Sequence, residues 1–135
     1  MVHAASDIRI KRVYDPPTKD DGVRVLVDRL WPRGVRKEDA AVTLWLKDIA
    51  PSTELRKWFG HDPARWAEFG RRYRAELKHN EEAVAHLVAL SARGPVTLVY
   101  GAHDVEHNHA LVLAGYLRAL QKDVHGRHSA KARLR

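Results

Sequence analysis

Ile8 and Ile10 alternate with Arg9 and Lys11 at the head of the stretch Ile8-Arg-Ile-Lys-Arg-Val-Tyr14, which stops at Asp15-Pro16-Pro17. A period of two puts one set of side chains on each face of a strand, and paired prolines end it. Past the polar turn Lys19-Asp-Asp-Gly22, the run Val23-Arg-Val-Leu-Val-Asp28 is almost continuously apolar and β-branched, the composition of a buried central strand. The proline and glycine of Trp31-Pro32-Arg33-Gly34 close it, and Arg36 to Asp39 predict a helical turn. Val42, Leu44 and Leu46 then share one side of a third strand, Val42 to Lys47.

The spacing next changes from two to three and four. Ser52 or Thr53, after Pro51, supplies a hydroxyl cap for a short helix that puts Leu55, Trp58 and Phe59 on one face and ends at Gly60. Asp62-Pro63, a carboxylate cap with proline at the first helical position, starts a second helix. Its stripe of Trp66, Phe69, Tyr73 and Leu77 reads as core, because that spacing is one packed helix face. A third helix, from about Glu81 to Ala92, carries Val84, Leu87, Val88 and Leu90 and stops at Gly94-Pro95. Val96 to Tyr100 is the clearest strand of the chain. Gly101-Ala102 turns it into a last helix, roughly Glu106 to Gln121, with Leu111, Leu113, Ala114, Leu117 and Leu120 inward. Strands bracketed by helices predict an α/β fold, a three-layer α/β/α sandwich on a small, mostly parallel sheet of about four strands. The link between the first two strands is short for a parallel crossover, which counts against an all-parallel sheet.

At 135 residues, 44% hydrophobic and 30% charged, the chain has the size and composition of one globular domain. The net charge of +7 is unevenly spread: Lys122, Arg127, Lys131, Arg133 and Arg135 against Asp123 put more than half of it on residues 122–135. The chain therefore divides into a folded domain, 1–121, and a basic tail, 122–135, expected to be flexible. The absence of cysteine excludes disulfides, thiolate nucleophiles and cysteine zinc sites. No apolar run reaches the roughly 18 residues of a membrane span, and the first residues lack the pattern of a secretory leader, so the cytoplasm is the expected compartment.

Three polar turns follow the three strongest strands: Asp15-Pro16-Pro17, Asp28 to Gly34, and Gly101 to Asn108. If the second and fourth strands are parallel neighbours, their carboxyl ends share one sheet edge, where open α/β sheets bind ligands. In the second turn Arg29 and Arg33 offer planar donor forks to a phosphate or carboxylate, and Pro32 and Gly34 set the turn that aims them. Trp31 can cover a flat apolar group, and Asp28 or Asp15 can orient the arginines or act as a base. The competing reading makes Trp31 core and Arg29 a structural tie between loops. In the third turn the free N–H groups of a helix start favour an anion, with Tyr100 and Asn108 completing the pocket. The glycine spacings of a phosphate-binding P-loop and of a dinucleotide fingerprint are missing. His103, His107 and His109, with Asp104, are nominal metal ligands, but their spacing matches no compact signature and no metal is expected.

Lys11-Arg-Val-Tyr-Asp-Pro-Pro17, Asp21-Gly22 and Arg24-Val-Leu-Val-Asp-Arg-Leu-Trp-Pro-Arg-Gly34 together resemble the opening signature of the YeaO-like family, a bacterial group within DUF488, whose function is unknown. Pro51-Ser-Thr-Glu-Leu-Arg56 with Trp58-Phe59 resembles its middle motif, and Asn108-His-Ala-Leu-Val-Leu-Ala114 its last. The likeness runs from about Arg9 to Leu120 and leaves out the basic tail. It implies a single three-layer α/β domain and no established reaction. Longer relatives carry a Cys-His-Arg-type motif after the last strand; this chain departs from it, so thiol chemistry does not carry over. Members often have lysine where His103 stands, which counts against a metal there. The resemblance leaves Arg29, Arg33, Ser52, Thr53 and Asn108 as the best-supported site positions.

The leading expectation is a site for a small anionic, phosphate- or nucleotide-like ligand at the strand ends, in a hydrolase, a transferase or a plain binding protein. No cofactor and no membrane partner is expected, and the chain is read as a monomer or a homodimer. Two alternatives differ in class. One is a nucleic-acid-binding or regulatory module that uses the basic tail and surface arginines. The other is a structural or interaction domain in which the arginine loop braces the fold.

Overall fold

A computed structural model describes residues 7–134, with the side chains of the last helix described as far as Gln121. Four strands, β1 (Ile8–Arg12), β2 (Val23–Leu26), β3 (Leu44–Trp45) and β4 (Val96–Tyr100), form one sheet in the order β1-β4-β2-β3. Every pairing is parallel, β2 with β4 included, so the short first link does produce an all-parallel sheet.

The link works because β1 and β2 are not neighbours. Residues 13–22 cross β4 with only a single 3-10 turn, Lys19–Asp21, and are pinned by polar groups on one face of the sheet. Thr97, on β4, donates its hydroxyl to the Asp21 carbonyl at 2.7 Å. The Asp21 carboxylate accepts from Arg24 Nη1 at 2.7 Å, from Lys11 Nζ at 3.1 Å, and from the N–H and hydroxyl of Thr18 at 3.1 and 2.9 Å. Arg24 Nε and Nη2 both donate to the Ala40 carbonyl, at 3.2 and 2.8 Å, so each nitrogen of this buried guanidinium has a partner. Burial pushes the Asp21 carboxyl up, but Thr18, Lys11 and Arg24 together hold it far below the ordinary carboxylate range. Gly22 ends the link at φ +63°, and a Cβ there would collide with the Pro95 carbonyl. Only glycine fits.

The opposite face carries the main core. Ile8, Val25, Val27, Val96, Leu98 and Tyr100 pack there against four helices, α2 (Thr53–Phe59), α3 (Trp66–His79), α4 (Glu81–Arg93) and α5 (His109–Leu134). The helices contribute Phe59, Phe69, Tyr73, Leu77, Leu87, Leu113 and Leu117, which confirms the aromatic stripe of α3 as core. The third layer is thin: the short helix α1 (Lys37–Ala40) and loop residues Trp31, Val35 and Val42 cover Val13, Leu26 and Val99.

Polar caps move several predicted boundaries. Asp62 Oδ1 accepts the Ala64 N–H at 3.0 Å and sets Pro63–Arg65 as a 3-10 turn, so α3 proper begins at Trp66. Asp104 Oδ1 accepts the N–H groups of Glu106 and His107 at 2.8 and 3.0 Å, which keeps 104–107 a turn. Asn108 Oδ1 then caps α5 by accepting the Leu111 N–H at 3.1 Å. The helix takes in the backbone of 122–134, the segment read from sequence as a separate tail. The side chains of that segment lie outside the described residues, as do residues 1–6 and Arg135. Among the described residues no helix is long and apolar enough to cross a membrane.

Candidate functional site

Because β2 and β4 are parallel neighbours, the loops that leave their carboxyl ends meet. Asp28 makes the junction: its Oδ2 accepts the Gly101 N–H at 2.9 Å. A Cβ at position 101 would stand 3.0 Å from that oxygen and 3.3 Å from Pro32 Cβ, so glycine permits the approach. His109, the first residue of α5, donates from Nε2 to the Val27 carbonyl at 3.0 Å and lies 3.2 Å from Asp28 Oδ1. Both neighbours of Nε2 are acceptors, which fixes a proton on it. That proton is aimed at the carbonyl, so Asp28 Oδ1 stays buried with no hydrogen-bond partner in the protein.

Arg29 reaches the other way, donating from Nη2 to the carbonyls of Ala50 and Pro51 at 3.2 and 3.3 Å. Its Nε is buried and unpartnered. The segment it grips is itself fixed. Tyr73 donates its hydroxyl to the Ile49 carbonyl at 2.7 Å, and Ser52 donates its hydroxyl and N–H to Glu76 at 2.6 and 2.9 Å. Ser52 Oγ also accepts the Leu55 N–H at 3.1 Å, the cap of α2.

These groups border a cavity of about 350 Å³. Arg29, Arg56 and Lys57 line it against one carboxylate, Asp28, with His61, His107 and His109 as further polar groups. Leu30, Pro51, Phe59 and Phe69 supply apolar wall. The permanent charge on the lining is positive.

Of the residues singled out from sequence, Asp28, Arg29, His107, Asn108 and His109 come together here. His107 is held through Nδ1 by Asp104 Oδ2 at 2.9 Å and stands edge-on to Trp66. The N–H of Glu106 and the His107 ring keep the Asp104 carboxyl below its ordinary range. The others stand outside. Trp31 donates Nε1 to the Val35 carbonyl at 2.7 Å and packs edge-on to Trp45, as the core reading had it. Arg33 is exposed and meets the fold through its carbonyl, which accepts from the Tyr14 hydroxyl at 3.1 Å. Ser52 is engaged as a cap, Thr53 is exposed at the start of α2, and Tyr100 is buried in the core, where burial raises its hydroxyl above the ordinary phenol value. Asp15 is exposed and its N–H closes a turn onto the Arg12 carbonyl; His103 is exposed beside Tyr14. Among the described residues no three His, Cys, Asp or Glu side chains are placed to hold a metal ion. Sequence reasoning missed Arg56 and Lys57. Their signal was two adjacent cations on a helix whose other face, Leu55 and Phe59, is apolar.

Residues 7–133 match the family model described as the inactive DUF488-N3 subclade, a span that reaches into the basic segment the resemblance left out. The chain is 49% identical over 114 residues to the uncharacterized protein YeaO of Escherichia coli (strain K12), covering 84% of this chain and 99% of that one. It is 50% identical over 110 residues to the uncharacterized protein Mb3100c of Mycobacterium bovis, covering 82% of this chain and 92% of that one. The same figures hold for the uncharacterized protein Rv3073c of Mycobacterium tuberculosis (strain H37Rv). No solved structure matches the chain.

Proposed function

The chain belongs to the YeaO-like DUF488 family, and from that premise we propose that it is a binding protein whose cavity takes a small phosphate-bearing anion without turning it over. One observation carries the reading. Three cationic side chains, Arg29, Arg56 and Lys57, line one cavity against the single carboxylate of Asp28. Arg29, Arg56 and Lys57 match the charge of a phosphate, and the apolar walls match the body that carries it. The place agrees with ligand binding outside the carboxyl ends of parallel strands.

Binding is favoured over turnover because the matching subclade is described as inactive, and because candidate reactive groups are engaged. The Ser52 hydroxyl serves Glu76 and the helix cap, and Asp28 Oδ2 serves Gly101. The nucleic-acid alternative rests on surface arginines together with residues 122–135, and the side chains of that segment lie outside the described residues.

Calorimetric titration with inorganic phosphate and ribose 5-phosphate tests the reading. The wild type binds saturably, and the Arg56→Ala/Lys57→Ala double variant binds at least about ten-fold more weakly. No saturable binding to the wild type, or equal affinity in the double variant, overturns it.

A further inference from the structure

The turn that borders the cavity has a second side. Ala102 lines the cavity, and its carbonyl accepts from Arg12 Nε at 2.9 Å. The Arg12 guanidinium lies over the Tyr14 ring, 4.7 Å from its centroid, and its Nη2 is 3.4 Å from His103 Nδ1. The Tyr14 and His103 rings are parallel to within 5°, with centroids 6.5 Å apart. Three flat groups, from the end of β1, the turn after it and the turn after β4, therefore form one ledge tied to Ala102 of the cavity lining. It is held at several points: Arg12 by the Ala102 carbonyl, and the Tyr14 hydroxyl by the Arg33 carbonyl at 3.1 Å.

The fold makes little use of this ledge. Tyr14 belongs to neither hydrophobic cluster and is 47% exposed. The other exposed large apolar side chains among the described residues, Leu30 at 65% and Val105 at 56%, stand on the loops after β2 and β4, at the same edge of the sheet. A ring held in place beside a permanent guanidinium is a stacking platform for a flat heteroaromatic group. Asp15, exposed next to Tyr14, makes the ledge a poor seat for a phosphate, so the phosphate stays with Arg29, Arg56 and Lys57. A nucleotide joins a flat heteroaromatic group to a phosphate through a sugar, which is the spacer that a ledge beside a separate phosphate cavity needs.

We propose that Arg12, Tyr14 and His103 seat the base of a nucleotide whose phosphate occupies the cavity. This rests on the cavity's phosphate reading and narrows its ligand from any phosphomonoester to a nucleoside phosphate.

The test compares inorganic phosphate, ribose 5-phosphate, adenosine monophosphate and a single-stranded RNA on the wild type, Tyr14→Ala and Tyr14→Phe by calorimetry. Tyr14 is exposed, so all three fold, which circular dichroism checks. The wild type binds adenosine monophosphate about ten-fold or more tightly than ribose 5-phosphate, the advantage of one stacked base. Tyr14→Ala abolishes that advantage and leaves ribose 5-phosphate affinity unchanged, while Tyr14→Phe keeps it. If the mononucleotide binds no better than ribose 5-phosphate, or if Tyr14→Ala retains the difference, the base ledge is wrong and the phosphate cavity stands. Binding of the RNA but not of the mononucleotide also overturns the ledge as a nucleotide seat. Failure of both phosphate compounds to bind removes the cavity reading and the ledge with it.

Discussion

Asp28 and Gly101 join the two loop ends of the site: Asp28 Oδ2 accepts the Gly101 N–H at 2.9 Å, and the missing Cβ of Gly101 is what lets the carboxylate approach. The other carboxylate oxygen faces His109, so one contact between residues 73 positions apart sets both the separation of the loops and the direction of Oδ1.

Gly101→Ala places a methyl group against Asp28 Oδ2 and Pro32 at once. The carboxylate can swing aside, but Pro32 gives way only by moving its loop. The expected cost is about 1–3 kcal/mol, measured by urea unfolding, with weaker phosphate binding as the loops part. Wild-type stability in this variant would show that the junction is slack.

The Lys11–Asp21–Arg24 cluster predicts an acid limb in the stability curve. The folded Asp21 carboxyl lies below its value in the unfolded chain, about 3.9. Its contribution is therefore full at neutral pH and is lost as the pH falls from about 4 toward the depressed folded value. Asp21→Ala leaves the buried Arg24 guanidinium without its counter-charge and costs about 3–5 kcal/mol at pH 7. Urea unfolding from pH 7 to pH 3 should show a steeper acid loss in the wild type than in the variant; equal slopes would remove Asp21 as the source.

Ser52 joins α2 to α3 through one hydroxyl, which accepts the Leu55 N–H and donates to Glu76. Ser52→Ala removes a helix cap and a hydrogen bond to a charged acceptor together. The expected loss is about 1–3 kcal/mol in thermal or urea unfolding. A smaller loss for Ser52→Thr, which keeps the hydroxyl, distinguishes the hydrogen bonds from a packing change.

What could be read from the sequence was mostly local. The alternation of Ile8 and Ile10, the run from Val23 to Val27 and the stripe from Trp66 to Leu77 each fix an element from its own residues, and the structure keeps them. The all-parallel pairing was not legible, because it depends on Asp21 meeting Thr97 across 76 positions. The same limit governed the site. The chemistry of Arg29 could be seen, but its partners, the carbonyls of Ala50 and Pro51, are backbone atoms that no side-chain pattern reveals. Arg33 carries identical chemistry four residues on and is exposed, in a bend where Gly34 takes φ +76° and Trp31 packs on Trp45, contacts that the residue types alone do not reveal.

Arg29 and Arg33 separate bracing from binding. Arg29 ties its loop to the 50–51 segment and lines the cavity, so Arg29→Ala strips two carbonyls of a charged donor and costs about 1.5–3 kcal/mol. Arg33 is exposed, and it is tied to the fold through a carbonyl that alanine retains, so Arg33→Ala stays within about 0.5 kcal/mol of the wild type. Urea unfolding reads that difference, and calorimetry with inorganic phosphate reads a second: affinity falls in Arg29→Ala and holds in Arg33→Ala. Arg29→Lys completes the set, since an ammonium keeps the charge without the planar fork and should recover part of the phosphate affinity but little of the stability. Equal phosphate losses at 29 and 33 would return Arg33 to the site, and an unchanged affinity at 29 would leave Arg29 a brace alone.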